Sequence, residues 1–322
     1  MDSACIGEGI MRISAIDIGT NTILMLIADV HSDGTMKVVR DEHTIARLGK
    51  GVDSSKRILP DTFERALDIL TKLKSISDDA GSQHIVACGT SALRDAVNRD
   101  EFIEFIHTKL GITIQVLSGN EEARLTYLGG ASEYFQNKLN KPFAVLDIGG
   151  GSTEIVAGLG NKVLQKYSMN IGAVRITERF LHSSPPTISE LQNAQAEIEK
   201  HLESVFLLSE STQLIGVAGT VTTLAAMDLQ LESYSAERIH GYRLQQKRID
   251  QFYDQLKALS LDKIRNIPQI LPMRADIILA GIMILRAVLM KNKKTEIIVS
   301  DRGLRYGLLF SEAERWRQST TS

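Results

Sequence analysis

The chain has 322 residues, 43% of them hydrophobic and 24% charged, with a formal net charge of −2. That length exceeds what one hydrophobic core usually organises, so two domains are expected. The charge balance excludes non-specific nucleic-acid binding, which needs a basic surface, but leaves room for an anionic substrate in a local basic cleft.

Residues 1–11, "MDSACIGEGIM", lack the basic start and apolar stretch of a signal peptide, and read as a leader with Met11 an alternative start. The longest apolar run, Ile277–Leu285, is far below the ~20 residues of a membrane span, so no membrane partner is expected. Cys5 and Cys88 cannot build a disulfide framework and have no metal-ligand partner at useful spacing, which fits a reducing, cytoplasmic setting.

Arg12–Ile18 and Ile23–Val30 read as strands around the turn "GTNT", and Met36–Asp41 and His43–Leu48 as further strands of the same sheet. "PDTFERALDILTKLKSI" follows a helical period, with Phe63, Ala66, Leu67, Leu70, Leu73 and Ile76 on one face and Asp61 and Glu64 as a capping box. "HIVACGTSALRDA" reads as a buried strand, a Gly-Thr turn and a helix, and "NRDEFIEFIHTKLG" as an amphipathic helix stopped by Gly111. "ITIQVLSGNEEARLTYLGGASEYF" repeats strand, turn, helix. "NKLNKP", ending at Pro142, is the linker candidate, and the pattern then restarts.

Phe143–Ile148, Thr153–Leu159 and Lys162–Met169 are expected strands, followed by helices at Gly172–Leu181 and Ile188–Leu208. "QLIGVAGTVTTLAAMDL" again reads as strand, Gly-Thr turn, helix. Gln245–Leu259 is helical, Met273–Met290 is a segment buried on most sides, and the chain ends in the strand "TEIIVS" and a helix after Gly303. Strands alternating with helices in both halves predict an α/β fold. The boundaries are set at 12–138, joined by the final helix 303–316, and 139–302.

"ISAIDIGTNTILMLI" and "FAVLDIGGGSTEI" place Asp17 and Asp147 at a 130-residue offset, in two copies of one apolar strand that ends in Asp-Ile-Gly. The repeat predicts an internal duplication, with two related domains facing each other across a cleft, a favoured ligand site. In each copy glycine lets backbone N–H groups approach an anion: Gly19 in the first, Gly149, Gly150 and Gly151 in the second. Thr20, Asn21, Thr22, Ser152 and Thr153 add short donors to phosphate oxygens, and Asp17 and Asp147 can hold a divalent cation directly or through water. Apolar strands follow both turns, so neither is a Walker A loop or a dinucleotide fingerprint. A plain glycine-bearing hairpin explains one copy; two copies favour paired phosphate clamps.

This arrangement resembles the actin-like superfamily. Within it, "AIDIGTNT", "GTSALRDA", "LSGNEEARLTYLGG", "LDIGGGSTEI", "IGAVR", "GVAGTVTTLAA", "RADIILAG" and "SDRGLRYGLL" resemble, in order, the exopolyphosphatase/guanosine pentaphosphate phosphohydrolase family, over about Ile13 to Leu309. The chain is similar to the short form, without the appended helical domain of longer members. The resemblance implies two actin-like (ribonuclease H-like) domains and a cytoplasmic homodimer that removes the terminal phosphate of inorganic polyphosphate with Mg²⁺ or Mn²⁺. Guanosine pentaphosphate is the alternative substrate, and a kinase of the superfamily or a non-catalytic alarmone or polyphosphate sensor are the competing readings.

Hydrolysis of a phosphoanhydride needs an in-line water, a group to deprotonate it and charge neutralisation on the transferred group. Ser118 and Glu121 fit a capping box, which leaves Glu122 over in the first helical turn. The glutamate before the alanine of this motif is the family's base and maps onto Glu122; the plainer reading has both glutamates complementing the helix dipole. Glu154 matches the family's second carboxylate, binding Mg²⁺ or placing water with Asp147, although strand alternation also explains it as a solvated residue. Arg94 matches a substrate-contacting arginine and is expected at a helix start, against the dipole. Possible substrate-channel residues are Thr90, Ser91, Glu121, Gly219, Thr220, Arg175, Arg274, Arg302 and Arg305, with Gly219 and Thr220 matching the adenosine-side loop of actin-like ATPases. His240 is either a motif residue or a satisfied turn histidine, and the second is preferred.

Overall fold

The structure, a computed structural model, describes residues 9–31, 35–136 and 141–320. Most of the expected leader, and residues 137–140 of the expected linker, lie outside the described residues. The chain divides into two compact units, Met1–Gly129 with Leu304–Ser322, and Gly130–Gly303.

In the first unit β1 (Ile10–Ile18), β2 (Thr22–His31) and β3 (Met36–Ile45) form an antiparallel meander. β4 (His84–Gly89) joins β1 in parallel and β5 (Ile114–Val116) joins β4 in parallel, giving the order β3-β2-β1-β4-β5. Side chains alternate across a strand, so β1 and β2 serve two cores at once. Ile16, Ile18, Ile23, Met25 and Ile27 pack on one side with Ala66, Leu70 and Leu73 of the helix Pro60–Asp79 and with Phe102 and Ile106 of the helix Arg99–Leu110. Ile13, Ala15, Leu26, Ala28 and Val30 pack on the other with Leu304, Tyr306, Leu308 and Leu309 of the C-terminal helix Leu304–Thr320. Gly307 lets that helix sit directly on the helix Gly119–Gly130, because a Cβ there would lie 1.9 Å from the carbonyl oxygen of Leu125.

The second unit repeats the plan. β6 (Pro142–Ile148), β7 (Thr153–Leu159) and β8 (Lys162–Met169) form the meander, β9 (Gln213–Val217) joins β6 in parallel, and β10 (Arg243–Gln245) and β11 (Glu296–Val299) complete the order β10-β11-β9-β6-β7-β8. Read from β8, the series β8-β7-β6-β9-β11 matches β3-β2-β1-β4-β5 in pairing and direction, with β10 added antiparallel at the far edge. The helix Ile278–Lys291 is buried along most of its length, as a sequence apolar but for Arg286 and Lys291 requires. Among the described residues no helix is long and apolar enough to cross a membrane.

The structure corrects several local expectations. Pro60 occupies the first helical position and Leu59 the cap, so Asp61 lies inside its helix and makes no capping box with Glu64. β3 is one strand rather than two: a bulge at Val39 (Ile27 pairs with Arg40, Ala28 with Val38) keeps it on β2 through Ile45. The expected helix Ile188–Leu208 stops at Leu202, where Lys291 Nζ donates to the carbonyls of Leu202 and Glu203, and the segment after it is tied down by side chains. Asn292 Oδ1 accepts from Leu208 N, and Lys294 Nζ donates to the carbonyls of Ser209, Glu210 and Thr212 at 2.7–2.9 Å. Gly219 and Thr220 form no turn. The helix Ala218–Asp228 begins directly after β9, with the bend at Ala218, whose φ of 68° lies in the left-handed region.

Candidate functional site

Ligands of open α/β sheets bind beyond the carboxyl ends of the parallel strands. In the first unit those ends carry Asp17–Gly19 after β1, Thr90, Ser91 and Arg94 after β4, and Ser118–Glu122 after β5. In the second unit they carry Asp147–Gly151 after β6, Ala218–Thr220 after β9 and Ser300–Arg302 after β11. The expected site residues thus fall on one edge of each sheet.

The two Asp-Ile-Gly turns have the same local geometry. Gly19 N donates to Thr22 O at 3.0 Å, and Gly149 N donates to Ser152 O at 3.0 Å. A Cβ on either glycine would press on that acceptor at 3.0 Å. The first turn is braced from outside: Ala46 N and Arg47 N donate to Asn21 O, both at 2.9 Å, and Gly49 N donates to Thr20 O at 2.8 Å. The second is gripped by the helix Ala173–Phe180. Ala173 N donates to Gly149 O (2.9 Å), Val174 N to Gly150 O (2.8 Å), and the buried Arg175 sends Nε to Gly151 O (2.9 Å). Three successive carbonyls are committed to that side of the turn. Gly172 permits the fit, since a Cβ there would lie 2.4 Å from Gly150 O and 2.6 Å from Gly151 N. Thr153 is fully buried and donates to Ile171 O at 2.8 Å, so its hydroxyl fixes the strand.

Glu122 lies in the first turn of its helix and is 7% exposed. Its Oε2 accepts a hydrogen bond from Arg94 Nη1, which also donates to Leu117 O at 3.1 Å. Burial pushes the Glu122 carboxyl up from its ordinary value, and Arg94 offsets only part of that rise. Arg94 sits in the last turn of the helix Ser91–Asp95, not at a helix start, so the expected conflict with the dipole does not exist. Thr90 N donates to Ile18 O at 3.2 Å, tying the ends of β4 and β1 together. Cys88, beside Asp17 in the β1–β4 pairing, is buried, and its thiol is pushed well up by burial, by Asp17 and by Glu122. The two carboxylates therefore share one neighbourhood. Glu121 caps its helix: Ser118 N and Oγ donate to Glu121 Oε2 at 3.0 and 2.8 Å, and Glu121 N returns to Ser118 Oγ at 3.3 Å.

In the second unit Asp147 and Glu154 are direct partners across β6 and β7, so both side chains stand on one face, and Glu154 is 1% exposed. Like charges so placed repel, and a divalent cation suits them. No group of three or more metal-ligating side chains occurs among the described residues. Two carboxylates with the remaining positions left to water and phosphate oxygens is the ordinary way Mg²⁺ is held, so the donor set fits that ion. In the first unit Leu24 stands opposite Asp17, where the second unit has Glu154.

The remaining arginines have protein partners. Arg274 Nη1 reaches Gly219 O (3.4 Å) and Thr223 Oγ1 (3.3 Å), over a glycine whose Cβ would strike the guanidinium. Arg302 pairs with Glu133 at 2.7 Å, and Arg305 is buried against Asp41. His240 is held between Glu133 (Nε2, 2.7 Å) and Asp301 (Nδ1, 2.6 Å). Thr220 is buried, with Oγ1 packed where a Cβ on Gly281 would lie. Sequence reasoning missed Gly49, Gly172, the bracing role of Arg175, and Ser168, whose hydroxyl donates to Glu154 Oε1 at 2.7 Å. The signal for Gly172 was within reach, since a glycine just before a helix marks a close backbone approach.

The model of the Ppx/GppA phosphatase family matches residues 26–316. The chain belongs to that family, and its two units have the family's actin-like α/β fold. It is similar to exopolyphosphatase 2 of Mycobacterium tuberculosis, 34% identical over 317 residues, covering 94% of this chain and 98% of that protein. The guanosine-5'-triphosphate,3'-diphosphate pyrophosphatase of Vibrio cholerae is 29% identical over 312 residues, which span 95% of this chain and 60% of that protein. The crystal structure of the Aquifex aeolicus Ppx/GppA family member matches with a TM-score of 0.80 and 33% identity, over 95% of this chain and 99% of that one.

Proposed function

We propose that the protein is an exopolyphosphatase: it hydrolyses the terminal phosphoanhydride of inorganic polyphosphate. One observation carries the reading. The carboxyl edge of each sheet bears a glycine turn of the same geometry, and the first stands with a buried glutamate held by an arginine.

Each turn is proposed to grip phosphate oxygens through backbone N–H groups and the hydroxyls of Thr20, Thr22 and Ser152, as anion-binding turns do. Glu122 takes the proton of the attacking water while the new P–O bond forms at the terminal phosphorus. The anhydride P–O bond breaks, and inorganic phosphate leaves with a chain one unit shorter. The raised carboxyl of Glu122 suits a general base better than a fully solvated carboxylate does, since proton transfer to a base is most effective when the base titrates closer to neutrality. Arg94 holds Glu122 in place and offers charge to the phosphate. Asp147 and Glu154 would hold a divalent cation, Mg²⁺ or Mn²⁺, which offsets charge on the substrate oxygens when bound.

Guanosine pentaphosphate is the second substrate considered, because the relative from Vibrio cholerae is named for a guanosine phosphate. The reading carries a cytoplasmic homodimer with it, and light scattering checks the dimer. Phosphate release from polyphosphates of graded length and from guanosine pentaphosphate, with and without Mg²⁺, tests the whole. Metal-dependent release that is fastest on polyphosphate supports it. Release from the nucleotide alone assigns the second substrate, and release from neither overturns the reading.

A further inference from the structure

Asp147, Glu154 and Ser168 form a row across three neighbouring strands. Asp147 pairs with Glu154 between β6 and β7, and Glu154 pairs with Ser168 between β7 and β8, so all three side chains stand on one face of the sheet. The Ser168 hydroxyl donates to Glu154 Oε1 at 2.7 Å.

A local irregularity produces this row. Counted back from the β7–β8 turn, Leu159 pairs with Lys162 and Gly158 with Val163, a register that would set Tyr167 opposite Glu154. Leu164 is instead an extra residue, so Ala157 pairs with Gln165 and Ser168 moves into line. Leu164 itself points into solvent, 58% exposed, and the first unit carries the matching bulge at Val39, so the bulge sets the register of both meanders. The duplication supplies an internal control. At the matching places of the first unit, Asp17 faces Leu24 and Leu24 faces His43, so the hydroxyl accompanies the carboxylate pair and is no general feature of the meander.

From these observations we propose that Ser168 is a positioning residue: it pins one oxygen of Glu154 so that Asp147 and Glu154 are presented together to a divalent cation. The inference rests on the reading of that pair given above. A carboxylate held at one oxygen loses little freedom when it meets the ion, whereas an unpinned one must be ordered on binding. A methyl group at position 168 fills most of the same space and donates nothing.

The test compares the parent with Ser168→Ala, Ser168→Thr and Glu154→Gln. Mn²⁺ binding to the substrate-free protein is measured by electron paramagnetic resonance, together with kcat, KM for polyphosphate and the melting temperature. Ser168→Ala is expected to weaken Mn²⁺ binding by roughly tenfold, as loss of a ligand-orienting hydrogen bond does, and to raise the metal requirement of turnover to match. KM for polyphosphate at saturating metal and the melting temperature should hold. Threonine keeps the hydroxyl on a half-buried strand and restores binding. If Ser168→Ala binds Mn²⁺ like the parent while Glu154→Gln does not, the inference fails and the functional reading stands. A parent that neither binds Mn²⁺ nor releases phosphate removes both.

Discussion

Replacing Arg94 by methionine isolates the electrostatics of the proposed base. Arg94 makes the side-chain contact to the Glu122 carboxylate, and the two side chains are 18% and 9% exposed. Breaking a fully buried pair from one side costs about 3–5 kcal/mol. With this residual exposure we expect about 2–3 kcal/mol, and with its cation gone the Glu122 titration moves further up. Glu122 must be ionised to accept a proton, so the acid limb of the rate profile should move to higher pH, with recovery at alkaline pH. A lost phosphate contact would instead raise KM at every pH, and the two effects separate in one data set. Stability carries the opposite sign. The folded-state value of Glu122 already lies above its ordinary 4.5, so its contribution is full below 4.5 and is lost as pH rises through the folded value. The deficit of Arg94→Met should therefore be small in acid and grow towards neutrality, and Glu122→Gln in the same background should flatten it. An acid limb that stays put, with a deficit independent of pH, refutes the reasoning.

Gly172→Ala would set a Cβ 2.4–2.6 Å from the backbone of Gly150 and Gly151, so the second turn must shift; KM for polyphosphate should rise several-fold while the melting temperature falls by a few degrees. Asp301, foremost among its partners, raises the His240 titration above 6.5, so the stability from that contact is full below 6.5 and is lost as pH rises through the folded value. Asp301→Asn should cost on the order of 1 kcal/mol in urea unfolding at pH 6 and little at pH 9. Lys294→Met removes the donor to three carbonyls and should destabilise by about 1–3 kcal/mol without changing kcat.

The duplicated Asp-Ile-Gly turns were legible because their chemistry is local: a strand end, a glycine and short polar residues lie within six positions. The Ser118–Glu121 cap was legible for the same reason, and it separated Glu122 from its neighbour before any coordinates. The cap at Asp61 was misread because Pro60 claims the first helical position and moves the cap to Leu59. Ser168 was hidden by register. A regular hairpin sets Tyr167 opposite Glu154, and the bulge at Leu164 has no composition signal that would reveal it. The grip of Arg175 on Gly151 and the seat of Gly172 against Gly150 depend on a helix folding back over a turn more than twenty residues earlier, which neither period nor propensity encodes.

Glu122→Gln gives the most direct test of the central claim, because it removes the proton acceptor and keeps the size of the side chain. In single-turnover phosphate release from polyphosphate with saturating Mg²⁺, the variant should be slower by roughly 10²–10⁴-fold, the usual contribution of a general base. Its affinity for polyphosphate, measured by equilibrium binding, should stay within a few-fold of the parent. Phosphate release at the parental rate would contradict the account.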